Sequence, residues 1–438
     1  MDFYARLYLR FWFWLLFPLC FAVSTIDTEG LPDTGLDTSN WVAGVLPPLE
    51  EMWTLNDMQI AAKNVIAKRH YGEFFTRIVE TWSLSDLSPL FIAYYRTGAL
   101  DEITYQANLN IWKSVRLNGY SFRDVSDVDL STSILGYNFS APFFIAPAAD
   151  AGHTNQSAEL SLATAAGKTG ILYVPSIYAT KSLEEIAKVS LDGQVMFHQE
   201  YVWSNRSWLV DELKRFEDAG YKAIFLTIDN TGIDSIRSRS LRFTGAPGYS
   251  PTHSATFDLV ALAEIQNLTS LPIVPKGIKT ASDARICLEL GFPAIYVSNH
   301  GGRTLDGAPT AVEILLDIRR NAPEVFERME VYADGGVRRG NHVIILLALG
   351  ARAVGLGRSS MFANVWGEDG VLRMIGILRT ELETTMQLMG ESKVRNINSS
   401  YVNTKLVDAL LQDSEVQVVT VLNNLYGMGY QPLTLQLE

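Results

Sequence analysis

One short segment of the sequence brings together side chains that could carry out acid–base chemistry. The residues SNHGGRTLD place a histidine in a glycine-rich turn, with an arginine three positions later. Histidine titrates near neutral pH, so His300 is the natural candidate for a general base. The guanidinium of Arg303 could bind a substrate carboxylate through two parallel hydrogen bonds. Asp229, at the end of an earlier apolar run, could hold His300 in the required tautomer and stabilise its imidazolium form.

Two later segments have the composition of a phosphate-binding site. ADGGVRRG contains Gly335, Gly336 and Arg338, and GLGRSS contains Gly357 and Arg358. Glycine lets backbone N–H groups approach an anion closely, and arginine donates forked hydrogen bonds to phosphate oxygens. The sequence therefore predicts a bound phosphorylated ligand.

Eight short apolar runs alternate with amphipathic helical stretches after Ser140. They cover residues 142–149, 171–176, 195–201, 223–229, 272–278, 294–302, 330–336 and 353–358. Near-continuous apolar strands, each followed by a helix, indicate a parallel sheet covered on both faces. Eight such units over roughly 220 residues match a (β/α)8 TIM barrel. A doubly wound open sheet is the alternative, but G-x-G-x-x-G does not follow the first run.

Polar residues end these runs, which is where a barrel of this kind carries its chemistry. Loops after the last two strands commonly bind phosphate, in agreement with the two glycine–arginine segments. Packing alone does not explain a complete ring of polar groups. The run ends carry Asp150, Ser176, Gln199, Tyr201, Thr227, Asp229, Lys276, Ser298, His300, Arg303, Asp334 and Arg358.

The chain is predicted to contain five segments. They are a signal peptide (1–24), an extended leader (25–54), an N-terminal helical cap (55–140), the barrel (141–390) and a C-terminal helical tail (391–438). The connection from Asn230 to about Leu271 is long, and such loops are usually lids or disordered.

The first residues resemble a secretory signal. Arg6 and Arg10 precede an apolar run that is too short to span a bilayer, and Ala22-Val23-Ser24 supplies small residues for cleavage. An uncleaved signal anchor is the alternative. Sequons for N-glycosylation occur at Asn138, Asn155, Asn205, Asn267 and Asn398. We therefore expect a glycoprotein of the secretory pathway or the extracellular space, without a stable membrane span after cleavage.

Composition argues against several functional classes. Lys+Arg 36 against Asp+Glu 48 gives a formal net charge of −12, which disfavours nucleic acid as a partner. The two cysteines, Cys20 and Cys287, exclude a disulfide framework. The six histidines show no H-E-x-x-H spacing, so no metal site is expected.

Several segments resemble one family. PKGIKTASDA, YVSNHGGRTLD, YADGGVRRG and GLGRSSMFA are similar to the signatures of the FMN-dependent α-hydroxy acid oxidases and dehydrogenases, and SILGYNFSAPFFIAPAA and FIAYYRTGALDE resemble upstream segments of that family. The likeness runs from about Leu55 to Met374. It implies FMN as cofactor, oxidation of the CH–OH group of a 2-hydroxy acid, O2 or another electron acceptor, and a homo-oligomer.

The resemblance implies roles for individual residues. His300, oriented by Asp229, would remove a proton while two electrons pass to flavin N5; whether the proton leaves carbon or oxygen first stays open. Lys276 would stabilise the negative charge of reduced flavin near N1. The implied FMN contacts are Pro147, Ala148, Ala149, Ser176, Gln199, Thr227, Lys276, Ser298, Asp334, Gly335, Gly336, Arg338, Gly357 and Arg358.

On the substrate side, Arg303 and Tyr94 would bind the carboxylate, and Tyr201 would form a hydrogen bond near the substrate oxygens. The family usually has a second arginine after the fourth strand. Here the segment reads DNTGIDSIRSRS, in which Arg237 or Arg239 could take that place.

The segment after the first run departs from the family pattern. It reads PAADAGHT, which places the acidic Asp150 near the flavin and disfavours an anionic substrate unless another charge or a proton compensates. An alternative is therefore a flavoenzyme of specialised-metabolite biosynthesis that dehydrogenates or cyclises a larger substrate. A secreted flavin-binding or phosphate-binding protein without enzymatic activity is a third reading.

Overall fold

The computed structural model describes residues 31–66, 95–230, 236, 238, 253–408 and 411. The chain divides into two compact units, Met1–Asp37 and Thr38–Glu438. In the first unit, the described residues 31–37 contain no assigned helix or strand. All elements named below belong to the second unit.

The strands of the second unit are short. They are β1 (Arg116–Leu117), β2 (Thr132–Ile134), β3 (Tyr137–Phe139), β4 (Phe143–Ile145), β5 (His198–Tyr201), β6 (Ile224–Thr227), β7 (Ile273–Ile278), β8 (Ala294–Val297), β9 (Glu330–Ala333), β10 (Ala353–Leu356) and β11 (Val402–Asn403).

Helices separate most of these strands. The α-helices are α1 (Leu55–Val65), α2 (Ile103–Asn110), α3 (Glu159–Thr169), α4 (Leu183–Lys188), α5 (Arg206–Asp218), α6 (Leu259–Ile265), α7 (Ala281–Glu289), α8 (Ala311–Asn321), α9 (Glu324–Arg328), α10 (Gly340–Ala348), α11 (Arg358–Ala363), α12 (Gly367–Met389) and α13 (Lys405–Asp408). Turns of 3₁₀ helix occur at Leu49–Glu51, Ile111–Ser114, Ala151–His153, Asn364–Trp366, Val394–Asn396 and Ser399–Tyr401. Across the described residues, every helix is too short or too polar to traverse a bilayer.

The central sheet confirms the predicted barrel. Seven parallel strands follow the order β4-β10-β9-β8-β7-β6-β5. The run at 171–176 bridges the two outer strands: the amide of Val174 donates to Ile145 O (3.0 Å), and the amide of Gln199 donates to Pro175 O (2.9 Å). This eighth position forms isolated bridges and not a regular strand.

Aromatic side chains fill the barrel. Phe144 is fully buried, and its ring meets Phe225, Tyr296 and Tyr332 edge-on, with centroids 5.9, 5.6 and 6.3 Å apart. Edge-to-face contacts of this kind add to the free energy gained by burying the rings. The interior is therefore a packed core, and the polar groups are confined to the strand ends.

The segment predicted as a helical cap is only partly helical. Its described residues form α1 and α2, but β2 and β3 make a hairpin through Leu135 and Gly136, both with positive φ. Ile134 and Phe139 pack into the barrel core, and the amide of Leu135 donates to the carboxylate of Glu330 at the start of β9 (3.1 Å). The hairpin therefore closes the end of the barrel opposite the strand C-termini.

The predicted helical tail (391–438) also differs from the structure over residues 391–408; apart from residue 411, the rest of it lies outside the described residues. Gly390, with a φ of 72°, ends α12, and the chain then makes 3₁₀ turns before β11 pairs antiparallel with β1. The carboxylate of Glu391 accepts hydrogen bonds from Ser392 N (2.9 Å) and Tyr401 OH (2.7 Å). These local acceptors favour turns over a continued helix. Only α13 is helical between residues 402 and 408.

Truncating the central aromatic side chain tests this packing. Phe144→Ala should lower the free energy of unfolding by about 3–5 kcal/mol, because it leaves a cavity among three rings. Leu388, which is 79% exposed on α12, provides the matched control. Urea titration of Leu388→Ala should show a change within about 0.5 kcal/mol. Equal losses in the two variants would contradict a barrel core centred on Phe144.

Candidate active site

A histidine–carboxylate pair lies at the mouth of the barrel. His300 Nδ1 is 2.9 Å from Asp229 Oδ1, and the Asp229 side chain is fully buried, whereas that of His300 is 17% exposed. Gly277 in β7 makes this position possible, because a β-carbon there would lie 2.5 Å from Asp229 Cβ. An ionised carboxylate only accepts hydrogen bonds, so Nδ1 carries the proton and Nε2 is the basic atom.

The electrostatic environment sets the charge of each partner. Burial by itself would raise the pKa of Asp229, but His300, Lys276 and Lys279 outweigh burial and lower it to about 2. Burial lowers the pKa of His300; Asp229 opposes this, while Lys276 and Arg303 add to it. Near pH 7 the pair is therefore a carboxylate beside a neutral imidazole, the state that a general base requires.

The backbone around His300 is held in an uncommon conformation. His300, Gly301 and Gly302 have φ values of 57°, 64° and 75°. A β-carbon on Gly302 would lie 2.6 Å from the amide nitrogen of Tyr105 in α2, so the loop can pack this closely only with glycine there. The amide of His300 donates to Ser298 Oγ (3.1 Å). Helix α2 therefore packs closely against the loop that carries His300.

Three polar side chains form a chain of hydrogen bonds across neighbouring strand ends. Ser176 Oγ donates to Gln199 Oε1 (2.9 Å), and Gln199 Nε2 donates to Thr227 Oγ1 (2.9 Å). All three side chains are buried. The chain fixes the orientation of the Gln199 amide, as expected for groups that present defined donors and acceptors to a ligand.

Asp334 connects β8 with the first glycine-rich segment. Ser298 Oγ donates to its Oδ1 (2.8 Å), and the hydroxyl of Tyr296 donates to its Oδ2 (2.9 Å). Thus both oxygens of this predicted cofactor residue have partners within the barrel, and Asp334 holds the strand ends in register.

The cleft at the mouth is rich in cations. Lys276, Arg303, Arg338 and Arg358 line it, with Asp334 as the carboxylate among its lining residues. In the described part of the chain, buried Lys276 forms neither a hydrogen bond nor a salt bridge, and its Nζ lies 5.4 Å from the centre of the Tyr296 ring. A buried ammonium group requires an acceptor or an anion. These residues therefore fit an anionic cofactor such as FMN and an anionic substrate.

The two predicted phosphate segments line the same cleft. Gly335 and Gly336 lie beside Asn108 of α2, and a β-carbon on Gly357 would meet open space. Arg338 donates to Ser359 Oγ (2.8 Å) and to Gln59 Oε1 (3.0 Å). These contacts fix the Arg338 side chain between α1 and α11.

Arg358 has partners that the sequence does not indicate. Its guanidinium donates to the carbonyls of Tyr95 (2.5 Å), Gly301 (2.9 Å) and Thr97 (3.0 Å). Burial, followed by the neighbouring Arg303, lowers the pKa of Arg358. In this arrangement Arg358 joins the segment before α2 to the His300 loop, and these bonds use three of its five N–H donors.

The cleft contains most, but not all, of the predicted site residues. Pro147 and Ala148 line it beside Lys276 and His300, and Arg303 donates to the carbonyl of Tyr95 (3.2 Å). Several predicted residues are not among those that line the cleft. These are Ala149, Ser176, Gln199, Tyr201, Thr227, Asp229 and Ser298. Tyr94 and Arg237 lie outside the described residues.

Sequence reasoning missed three residues that shape the cleft. Tyr95 lines it and donates through its hydroxyl to Asp150 O (2.6 Å), although the predicted residue was its neighbour Tyr94. Asn108 and Asn299 exchange two hydrogen bonds of 2.9 Å, which join α2 to the His300 loop. No sequence signal pairs these asparagines, because they are 191 residues apart.

Comparison with known proteins agrees with this geometry. A family model described as FMN-dependent dehydrogenase matches residues 85–252 and 247–404. Glycolate oxidase 3 of Arabidopsis thaliana is 36% identical over 338 residues, which are 71% of this chain and 90% of that protein. An L-lactate oxidase of Nostoc sp. is 35% identical over 354 residues, 74% of this chain and 96% of that protein.

Longer relatives and solved structures show the same similarity. The L-lactate dehydrogenase (cytochrome) of Wickerhamomyces anomalus is 30% identical over 82% of this chain, which spans 63% of that protein. A mutant flavocytochrome b2 with pyruvate bound superposes with a TM-score of 0.76 and 29% identity, over 90% of this chain and 95% of that one. A mandelate oxidase variant with 2-hydroxy-phenylacetamide gives a TM-score of 0.69 at 30% identity, over 80% of this chain and 98% of that one. The chain therefore belongs to the FMN-dependent dehydrogenase family, and FMN is its cofactor.

Proposed function

We propose that this enzyme oxidises the CH–OH group of a 2-hydroxy acid, with His300 as the base. The observation that carries the proposal is the 2.9 Å contact between His300 Nδ1 and the buried, ionised Asp229, because it leaves Nε2 basic at the cleft. The names of the relatives support the substrate class, since they include oxidases of glycolate and lactate.

In this proposal the cations of the cleft bind and orient the substrate. Arg303 binds the substrate carboxylate, and Nε2 of His300 takes one proton from the CH–OH group, either from its carbon or from its oxygen. The Asp229 carboxylate then stabilises the imidazolium that forms. FMN supplies the two-electron acceptor for this chemistry, and Lys276 provides a fixed positive charge in the cleft where negative charge develops. O2 is the proposed re-oxidant.

A second candidate is a larger hydroxylated substrate, and Asp150 is the observation that favours it. Its carboxyl follows β4 at the mouth of the barrel, and burial, together with the charge of Glu159, raises its pKa to about 6. Above that pH an additional negative charge lies near the mouth, which disfavours a small anion. Below that pH the Asp150 carboxyl is protonated and neutral, so it no longer disfavours a small anionic substrate.

Replacing the proposed base tests the reaction. In anaerobic mixing with glycolate, L-lactate and larger 2-hydroxy acids, the FMN-loaded wild-type protein should lose its flavin colour. His300→Gln should slow bleaching by about 10²–10⁴-fold, as expected for loss of a general base, and should retain FMN.

His153→Gln, a histidine outside the cleft lining, should bleach at the wild-type rate. Bleaching at the same rate in His300→Gln would contradict the assigned base. Bleaching by larger hydroxylated compounds alone would favour the second candidate. On exposure to air, the reduced wild-type enzyme should form hydrogen peroxide if O2 is the re-oxidant.

Removing the charge of Asp229 tests the pair itself. The Asp229 carboxylate raises the pKa of His300, so Asp229→Asn should lower this pKa further. Because the base must be neutral, activity should rise as pH rises through the His300 pKa. The rising part of the pH–rate profile should therefore move to lower pH in the variant. NMR titration of the His300 ring and pH–rate profiles provide the measurement. Asp211→Asn, an exposed carboxylate on α5, is the control, and an unchanged or raised His300 pKa in Asp229→Asn would refute the pairing.

We also propose that the protein enters the secretory pathway and is glycosylated. Four of the five sequon asparagines are exposed, namely Asn138, Asn205, Asn267 and Asn398. When the full chain is expressed in a eukaryotic host, endoglycosidase treatment should lower its mass, whereas a variant lacking residues 1–24 should show no change. Cytosolic full-length protein of unaltered mass would contradict the proposal.

A further inference from the structure

One histidine outside the proposed reaction lies in an aromatic cluster at the barrel mouth. His253 belongs to the long connection after β6, and its side chain is almost fully buried. Its ring stacks on Tyr201, with centroids 4.2 Å apart and planes inclined by 21°. Its Nε2 lies 2.7 Å from the hydroxyl oxygen of Tyr178, so one hydrogen bond joins them.

The backbone around His253 is attached to the segment that follows β5. His253 forms an antiparallel bridge with Trp203. Ser204 Oγ donates to the carbonyl of His253 (2.7 Å), and the amide of Ser254 donates to Val202 O (2.8 Å). These three contacts therefore fix the position of the His253 imidazole relative to the end of β5.

Tyr201 is the residue that this arrangement positions. It ends β5 and pairs in register with Thr227, which pairs with Lys276 in the next strand. Tyr201 therefore lies at the level of the buried cation of the cleft. A ring stacked on one face can rotate only if the stack breaks, and aromatic pairs resist this beyond the gain from buried area.

We propose that His253 is a positioning residue for substrate binding. Its imidazole holds the Tyr201 ring in the orientation that places the phenol near the substrate oxygens, and the Tyr178 hydroxyl holds the imidazole. The inference rests on the proposed function and on the role that the family resemblance implies for Tyr201, a hydrogen bond near the substrate oxygens. It assigns to the long connection a part in the site that the residues around His300 do not reveal.

Two substitutions separate the stack from the hydrogen bond. His253→Ala removes both, whereas His253→Phe keeps a ring against Tyr201 and loses the bond to Tyr178. With glycolate or L-lactate, His253→Ala should raise KM by about tenfold, in line with small misplacements in a binding site. His253→Phe should restore KM to within about threefold of wild type.

The control is Trp208→Ala, which removes a half-exposed ring that meets Trp203 in the same cluster. It should leave KM and FMN affinity unchanged. A merely structural role for His253 would lower the active fraction, and therefore kcat, without moving KM. A KM within twofold of wild type in His253→Ala would overturn the inference.

Ring-proton NMR shifts give a readout independent of turnover. The His253 ring protons should be displaced by the Tyr201 ring current in the FMN-loaded wild type and should return toward ordinary values in Tyr201→Leu. Undisplaced resonances in the wild type would overturn the inference even if turnover were normal. If no 2-hydroxy acid bleaches the wild-type flavin, the proposed function fails and the substrate-positioning role fails with it. If the wild-type flavin is bleached but KM is unchanged in both His253→Ala and His253→Phe, only the positioning role of His253 is rejected.

Discussion

The hydrogen bond between buried Asp229 and His300 is the interaction on which the rest of the site depends. A carboxylate removed from water is costly unless charges and hydrogen bonds compensate for lost hydration. Here His300 and two lysines provide that compensation. The same contact fixes which imidazole nitrogen is basic. Gly277 provides the space for the carboxylate, so a strand residue two elements away from the histidine loop determines whether the pair can form.

The second constraint is the concentration of positive charge at one end of the barrel. Lys276, Arg303, Arg338 and Arg358 line a single cleft, where their mutual repulsion must be offset. Backbone carbonyls offset it at Arg358, and side-chain oxygens offset it at Arg338. Lys276 has no such partner in the described residues, and an anionic cofactor would provide one. The arginine that we propose as a cofactor contact, Arg358, thus also holds the segment before α2 against the barrel.

The barrel could be predicted because parallel strands buried on both faces leave continuous apolar runs in the sequence. Seven of the eight runs contain strands, and the eighth, at 171–176, closes the sheet through isolated bridges. The hairpin at 132–139 was missed because its two strands are only three residues long and carry little periodicity. The turns from Glu391 to Tyr401 were missed because the acceptors that favour turns there come partly from residues ten positions apart, as in the contact between Glu391 and Tyr401.

The sequence by itself determined the residue types of the site and the ends of the strands that carry them, because the order of apolar runs and glycine-rich turns is a local property of the chain. It predicted that Asp229 and His300 follow strand ends at the same mouth of one barrel. Only the tertiary structure decided that the Arg358 guanidinium meets carbonyls from the segment before α2 and that His253 stacks on Tyr201. Such contacts join residues that are far apart in the chain, and their geometry depends on how helices and loops pack, which no local pattern encodes.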